Sequence, residues 1–275
     1  MQDKKSNIII IGVGNLACSL LDRLDLTNYN LYLIQKNQEK YDQLILNYPK
    51  ANVTEELLFT TSKEDIVIIA VKPQDFQSVI KYATQINQSI IISVMVGIST
   101  NLIMNELSCS KVVRLMPNIL SSIGYSSTGI FFSSDINNIE QKNIIDLFQC
   151  IGKVYLLSDE KQMSSFVAIA SSSPAFLLYF LENMVKISID LGYNEVMVEE
   201  IYHDILHGIS KLMTNKKNFN ALRSKISSKG GTTEAAINEF KNHQLEKIFS
   251  QAYEACINRY NKISNEFENF TNKII

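Results

Sequence analysis

Apolar residues follow two rhythms along this chain. Over residues 8–11, 31–34, 66–71, 90–94, 111–116, 129–132 and 154–157 they gather in short runs rich in Ile, Val and Leu, with polar or helical stretches between. Runs this continuous suit strands buried on both faces, and the intervals suit helical crossovers, so the first half predicts βαβ units around a mainly parallel sheet. After about Ser158 the strand-like runs stop. Helical spacing takes over and predicts helices at 175–191, closed by Gly192, then at 195–213, 219–226 and about 244–267. The expected architecture is an α/β domain over residues 1–159 followed by an all-helical domain over residues 160–275, with no fixed-period repeat.

Composition excludes several classes of function. Lys and Arg number 26 against 28 Asp and Glu, and neither sign forms a long block, so no footprint for nucleic acid or an anionic membrane is expected. Cys18, Cys109, Cys150 and Cys256 lie far apart without a C-x-x-C pair, which suits reduced packing residues. A chain of 275 residues also buries enough core to fold without disulfide or metal staples. Residues 1–7 are polar and run straight into the first strand, so no secretion signal is expected and the protein reads as cytoplasmic. The most apolar stretch, 176–189, is broken by Glu182, Asn183, Lys186 and Ser188, and no unbroken apolar run long enough to span a membrane is expected.

The chemistry begins where the first predicted strand ends. Gly12-Val13-Gly14-Asn15-Leu16-Ala17 is a G-x-G-x-x-A pattern leading directly into a predicted helix. Gly12 permits the tight turn, Gly14 lets the backbone approach a pyrophosphate, and Ala17 permits close helix–strand packing, while the helix N-terminus offers amides and partial positive charge. Alone, the pattern also fits a glycine turn that binds nothing. Its position at the first strand of a βαβ chain makes the first domain Rossmann-like and points to a dinucleotide held by Gly12, Gly14, Asn15 and Leu16. Sites selective for NAD usually end the second strand with Asp or Glu on the ribose hydroxyls. Here that strand runs into Gln35-Lys36-Asn37, with no carboxylate to repel a 2′-phosphate and with Lys36 available to pair with one. NADPH is the expected cofactor, ahead of NADH.

Three further segments carry chemistry: Ala70-Val71-Lys72-Pro73 after the third apolar strand, Val113-Arg114-Leu115-Met116-Pro117-Asn118 after the fifth, and Ser227-Ser228-Lys229-Gly230-Gly231-Thr232-Thr233 between two helices. In the last of these, Gly230 and Gly231 can expose consecutive amides, and Thr232 or Thr233 can cap a helix beginning near Glu234. That is a nest for a carboxylate, or equally an ordinary Gly-Gly turn with a threonine cap.

Together with the glycine fingerprint, and in this order over nearly the whole chain, these segments resemble the pyrroline-5-carboxylate reductase family. The resemblance implies that the first domain binds NADPH through the fingerprint, Gln35, Lys36, the segment Ala70, Val71, Lys72 and Pro73, and Gly97. It implies that Ser228, Gly231 and Thr232, with Gly230 in the same substrate loop, hold the carboxylate of a small cyclic imine, and that the Thr233 hydroxyl meets the ring nitrogen as the catalytic contact. It also implies that Glu160 lies near the active site among the substrate-binding residues, although a lone carboxylate at a domain junction also reads as a surface residue. It also implies a homodimer, or a ring of dimers, built through the C-terminal helices. The reaction would be hydride transfer to the C=N carbon of 1-pyrroline-5-carboxylate, giving L-proline.

The chain departs from the family pattern at three places. Ser171 and Ser173 replace glycines in Ala170-Ser171-Ser172-Ser173-Pro174-Ala175, Ile119-Leu120 follows Met-Pro-Asn, and Lys229 stands where proline is expected. Added side chains crowd close packing and a lost proline loosens a loop, so these changes bear on turnover and substrate affinity rather than on fold. Two other functions fit less well: an NADP-dependent reductase of another imine or of an oxo acid, and a catalytically weak NADPH-binding homologue. His203 and His207 have metal-ligand spacing on one predicted helix, but without a third-ligand cluster no metal is expected.

Overall fold

The computed structural model describes residues 5–213 and 218–271. Among them, the strands are β1 (Ser6–Ile11), β2 (Tyr29–Ile34), β3 (Asn52–Thr54), β4 (Ile66–Ile69), β5 (Ile90–Ser93), β6 (Val112–Met116), β7 (Ser126–Phe132) and β8 (Gly152–Leu156). They form one sheet in the order β3-β2-β1-β4-β5-β6-β7-β8. β1 to β6 run parallel, β7 is antiparallel to β6, and β8 is parallel to β7. The helices are α1 (Asn15–Leu21), α2 (Gln38–Asn47), the single turns α3 (Gln77–Ile80) and α4 (Ala83–Ile86), α5 (Thr100–Leu107), α6 (Asn138–Phe148), α7 (Gln162–Phe166), α8 (Ser173–Asp190), α9 (Glu195–Met213), α10 (Phe219–Ile226), α11 (Thr232–Asn242) and α12 (Leu245–Thr271).

β1 shows why the sheet forms. Successive side chains of a strand point to opposite faces. Ile8 and Ile10 accordingly enter one core, with Leu20, Leu33 and Leu115, while Ile9 and Ile11 enter another, with Val67, Ile91 and Ile103. Each fully buried isoleucine contributes about 1.5–3 kcal/mol, so an Ile-Ile-Ile-Ile strand is stable only where helices cover both faces. The chain lays β2 and β3 to one side of β1 and β4 onward to the other. The carboxyl ends of β1 and β4 therefore frame the topological switch point, where open α/β sheets take their ligands.

By packing, the chain divides into two units, Met1–Ser172 with Cys256–Ile275, and Ser173–Ala255. This differs from the boundary expected at residue 159. Residues 160–172 and the end of α12 group with the sheet because Met163, Val167 and Tyr260 build a small core with Met116. In the sheet unit all four cysteines occur as free thiols, and burial pushes the Cys109 thiol up to about 11, as expected of an unreactive packing residue.

The helical unit is built differently. Phe176 meets Tyr253 edge-on at 5.5 Å, Phe180 meets Phe240 at 6.3 Å, and the Ser188 and Tyr202 hydroxyls lie 3.0 Å apart. Among its described residues only Val198 is buried. The helical run Gln162–Asp190 is long and apolar enough to cross a membrane by length and composition, with 17% of its most apolar window buried. The sequence expectation concerned unbroken apolar runs, and this segment is apolar only on average. Glu182 and Lys186 interrupt the apolar run without lowering its average much.

Candidate active site

A cleft of about 390 Å³ opens at the carboxyl ends of β1, β2 and β4. Gly12, Gly14, Gln35, Lys36, Ala70, Val71 and Lys72 line it, and so do Lys40, Asp75, Ser78 and Tyr82. The Gly12 amide bonds Ile34 and the Ala70 amide bonds Ile11, knitting the three strand ends together. Gly12 has φ +86°, and a Cβ there would stand 2.4 Å from Val71 Cγ1, so no other residue fits the turn. A Cβ on Gly14 would meet nothing within 4 Å. No side chain caps α1 at Gly14, so the first amides of that helix remain directed into an open mouth. This arrangement fits the pyrophosphate of a dinucleotide.

Beside that mouth the cleft carries Lys36, Lys40 and Lys72 against a single carboxylate, Asp75. Lys40 escaped the sequence reading. It sits in the first turn of α2, which is capped by Asn37, and a cation there opposes the helix dipole. A misplaced charge of that kind, four residues beyond Lys36, is the signal that an anion belongs nearby. Other expected cofactor residues take supporting positions. The Gln35 side chain donates to Val13 O at 3.0 Å and accepts from the Asn37 amide at 3.1 Å. Leu16 packs against the core, Asn15 is exposed at the start of α1, and Pro73 opens the short 3-10 turn Pro73–Asp75. Gly97 lies beyond β5 and does not line the cleft.

In the helical unit, Ser228 to Gly231 form the turn between α10 and α11. Both glycine amides are bonded within it: Gly231 N–H donates to Ser228 O at 3.0 Å, and Gly230 N–H donates to Glu234 Oε2 at 2.7 Å. Glu234, in the first turn of α11, reaches back past the N-cap Gly231 to the amide of the residue before it. The nest expected from consecutive glycine amides is thus partly filled by the chain's own carboxylate. The next amides, of Thr232 and Thr233, open the helix and have no intrahelical acceptor. Thr233 also lines an apolar cleft of about 390 Å³ with Ile209, Leu212, Phe219 and Leu222. At its edge the Ser227 hydroxyl is buried without a partner.

Glu160 lies in the sheet unit. Its carboxylate accepts from the Thr100 amide at 2.8 Å, the Thr100 hydroxyl at 2.6 Å and Arg114 Nη1 at 3.1 Å.

Residues 7–97 match a family described as NADP oxidoreductase coenzyme F420-dependent, and residues 160–263 match one described as pyrroline-5-carboxylate reductase dimerisation. A pyrroline-5-carboxylate reductase of Staphylococcus haemolyticus is 31% identical over 277 residues, which cover 95% of this chain and 99% of that protein. The chain belongs to the pyrroline-5-carboxylate reductase family. A solved pyrroline-5-carboxylate reductase from Coxiella burnetii superposes with a TM-score of 0.81 at 26% identity, covering 95% of this chain and 99% of that one. A pyrroline carboxylate reductase from Plasmodium falciparum, solved with NADP bound, shares the fold at a TM-score of 0.80 and 19% identity, covering 94% of this chain and 99% of that one.

Each serine of the segment Ser171-Ser172-Ser173, two of which stand where the resemblance expects glycine, finds a partner. Ser171 donates to Pro117 O at 3.2 Å, the Ser172 hydroxyl lies 3.4 Å from Cys256 Sγ, and Ser173 lies 3.1 Å from the Tyr253 hydroxyl. Asn118 of the Met-Pro-Asn segment donates to Ala170 O at 2.9 Å. Between them Val167–Ser171 forms a π-helical turn, a device frequent at functional sites. His203 and His207 are exposed on α9, and among the described residues no group of three or more metal-ligating side chains occurs.

Proposed function

We propose that this protein reduces 1-pyrroline-5-carboxylate to L-proline with NADPH, in the cytoplasm, as a homodimer or a ring of dimers. The observation that carries this reading is a lysine-lined dinucleotide cleft at the switch point, in a chain whose other conspicuous loop opens a helix with two threonines.

In this account the N-terminus of α1 and Gly14 hold the pyrophosphate, and Lys36 with Lys40 hold the 2′-phosphate. NADPH, when bound, supplies the hydride. The Ser228 hydroxyl and the Thr232 and Thr233 amides hold the substrate carboxylate, with Gly230 and Gly231 shaping the turn. The Thr233 hydroxyl oxygen accepts a hydrogen bond from the protonated ring nitrogen and so favours the charged imine. A protonated imine is already a strong hydride acceptor, so positioning and charge stabilisation suffice, and no group with a pKa near neutrality is needed.

Exposed Leu177, Leu178, Ile205 and Leu206 support a second copy as the cover of the helical unit. The same cover accounts for the apolar run Gln162–Asp190 without a membrane. Steady-state oxidation of NADPH, measured with 1-pyrroline-5-carboxylate beside six-membered and sulfur-containing ring analogues and simple 2-oxo acids, tests the proposal. The pyrroline should give the highest kcat/KM. A higher value with an oxo acid, or no turnover with any cyclic imine, contradicts it.

A further inference from the structure

Arg114 is a cation in the middle of β6 with no solvent exposure. Its Nη1 donates to Ile98 O and to Glu160, and its Nη2 donates to Met95 O at 2.7 Å and to the Tyr260 hydroxyl at 3.4 Å. Its Nε is buried without a partner. Glu160 in turn grips both the amide and the hydroxyl of Thr100, where α5 begins.

The contacts to Met95 O, Ile98 O and Thr100 converge on one segment, residues 94–100, between β5 and α5. Two of its carbonyls are held by Arg114 and its last residue by Glu160, while Ser99 caps α5 through the Leu102 amide at 3.2 Å. Gly97 has φ +77°, and a Cβ there would stand 2.8 Å from Ile263 Cγ2, so α12 closes the segment from its other side. Arg114 is fully buried while the Glu160 side chain keeps 22% exposure. An ion pair with one partner buried is an inefficient source of stability, because desolvating that cation offsets much of the attraction and apolar residues of similar size often do as well. The unpartnered Nε adds to that penalty. Stability alone therefore does not account for the pair, whereas fixing the geometry of one loop does.

The segment's place in the fold says what that geometry serves. It leaves the carboxyl end of β5, next in the sheet to β4, whose end lines the dinucleotide cleft. In doubly wound folds a dinucleotide crosses the switch point, with its adenosine half on the side of the second strand and its other half beyond the first. Lys36 and Lys40 mark the adenosine side. We infer that Arg114 and Glu160 are positioning residues that hold segment 94–100 as the seat of the nicotinamide half. On this inference Glu160 is a brace rather than a substrate ligand. The inference rests on the cofactor reading above.

The test measures the affinities of full-length Arg114→Lys and Glu160→Gln for NADPH and for 2′,5′-ADP, which carries only the adenosine half, together with kcat and thermal stability. A positioning role predicts that NADPH binding and kcat each fall roughly 10-fold or more, as sub-ångström misplacement of a reacting group does, while 2′,5′-ADP binding stays within about twofold. If Arg114→Lys fails to fold, Glu160→Gln, which keeps shape and removes the charge, decides. Lowered thermal stability with both affinities and kcat unchanged would mean a structural role only and would overturn the inference. Equal losses for both ligands would overturn it too, as general loosening of the sheet. Unmodified protein that binds neither ligand would bring down the cofactor reading itself, a distinguishable failure.

Discussion

In the sheet unit Ile9, Ile10, Ile68 and Ile91 are fully buried, whereas in the helical unit Ile187, Ile205, Ile226 and Ile248 are 58%, 46%, 63% and 56% exposed. Both sets are the same residue, so the difference lies in cover rather than in the side chain. The sheet is clad on both faces by helices of its own chain, and its isoleucines need nothing more. The helical unit has a 3.6-residue apolar pattern on several faces and too little of its own chain to cover them. One unit is finished within a single chain; the proposed dimer would finish the other.

The sharpest way to break this contrast is to alter one isoleucine in each unit. Ile205→Asp places a carboxylate on the uncovered surface, and an unpaired charge in an apolar interface costs several kcal/mol, so the dimer dissociation constant should rise by roughly 100-fold or more. Ile68→Ala should instead lower stability by about 2–5 kcal/mol through a cavity, without moving the dissociation constant beyond that loss. Sedimentation and denaturant titration across protein concentrations read both. If Ile205→Asp leaves the mass in solution unchanged, the uncovered surface is not the interface.

The units should also divide the chemistry. Thr233→Val keeps the shape and removes the hydroxyl, and a hydrogen bond to a charged group contributes roughly 1.5–3 kcal/mol, so kcat/KM for the imine should fall about 10- to 100-fold. NADPH affinity, measured by titration, should not move. In the sheet unit, Lys36→Ala should raise the NADPH KM roughly fivefold and leave kcat alone, as expected for an exposed phosphate contact of about 1 kcal/mol, with Lys40→Ala adding a similar loss. Loss of imine turnover in either lysine variant at saturating NADPH would contradict the division.

The smallest expected effect lies in the substrate loop. Glu234→Ala frees the Gly230 amide and should raise the imine KM about two- to fivefold. Lys229→Pro should stabilise the protein by about 0.4–1 kcal/mol through the unfolded chain and offset part of that rise when the two are combined. A double-mutant cycle on KM measures the coupling. Strict additivity would show that Glu234 does not order the loop.

Legibility in the sequence follows the same divide. Continuous Ile and Val runs announce buried strands, and the limits of α9 and α10 fall where the helical spacing ends. β3 went unread because Asn52-Val53-Thr54 offers only one apolar residue. The fingerprint and the Lys36 edge of the cleft were legible because short, local backbone rules create them. Ser78 and Tyr82 were not, since only tertiary packing brings them to the cleft, and Lys40 went unread although its place in the first turn of α2 is a local signal. The occupied amides at Gly230 and Gly231 were also hidden, because a glycine pair says that a turn exists and not which acceptor its amides choose. Likewise Glu160 read as a lone carboxylate, and its grip on Arg114 and Thr100 spans 46 and 60 residues of sequence.

The central claim is that a hydride passes from NADPH to the C=N carbon of a cyclic imine. Incubation of the protein with 1-pyrroline-5-carboxylate and NADPH deuterated at the transferring position of the nicotinamide, followed by mass and NMR analysis of the product, tests it most directly. L-proline should form with one deuterium on the ring carbon formerly double-bonded to nitrogen, and on one face only. Proline without deuterium, deuterium on both faces, or no proline at all would contradict it.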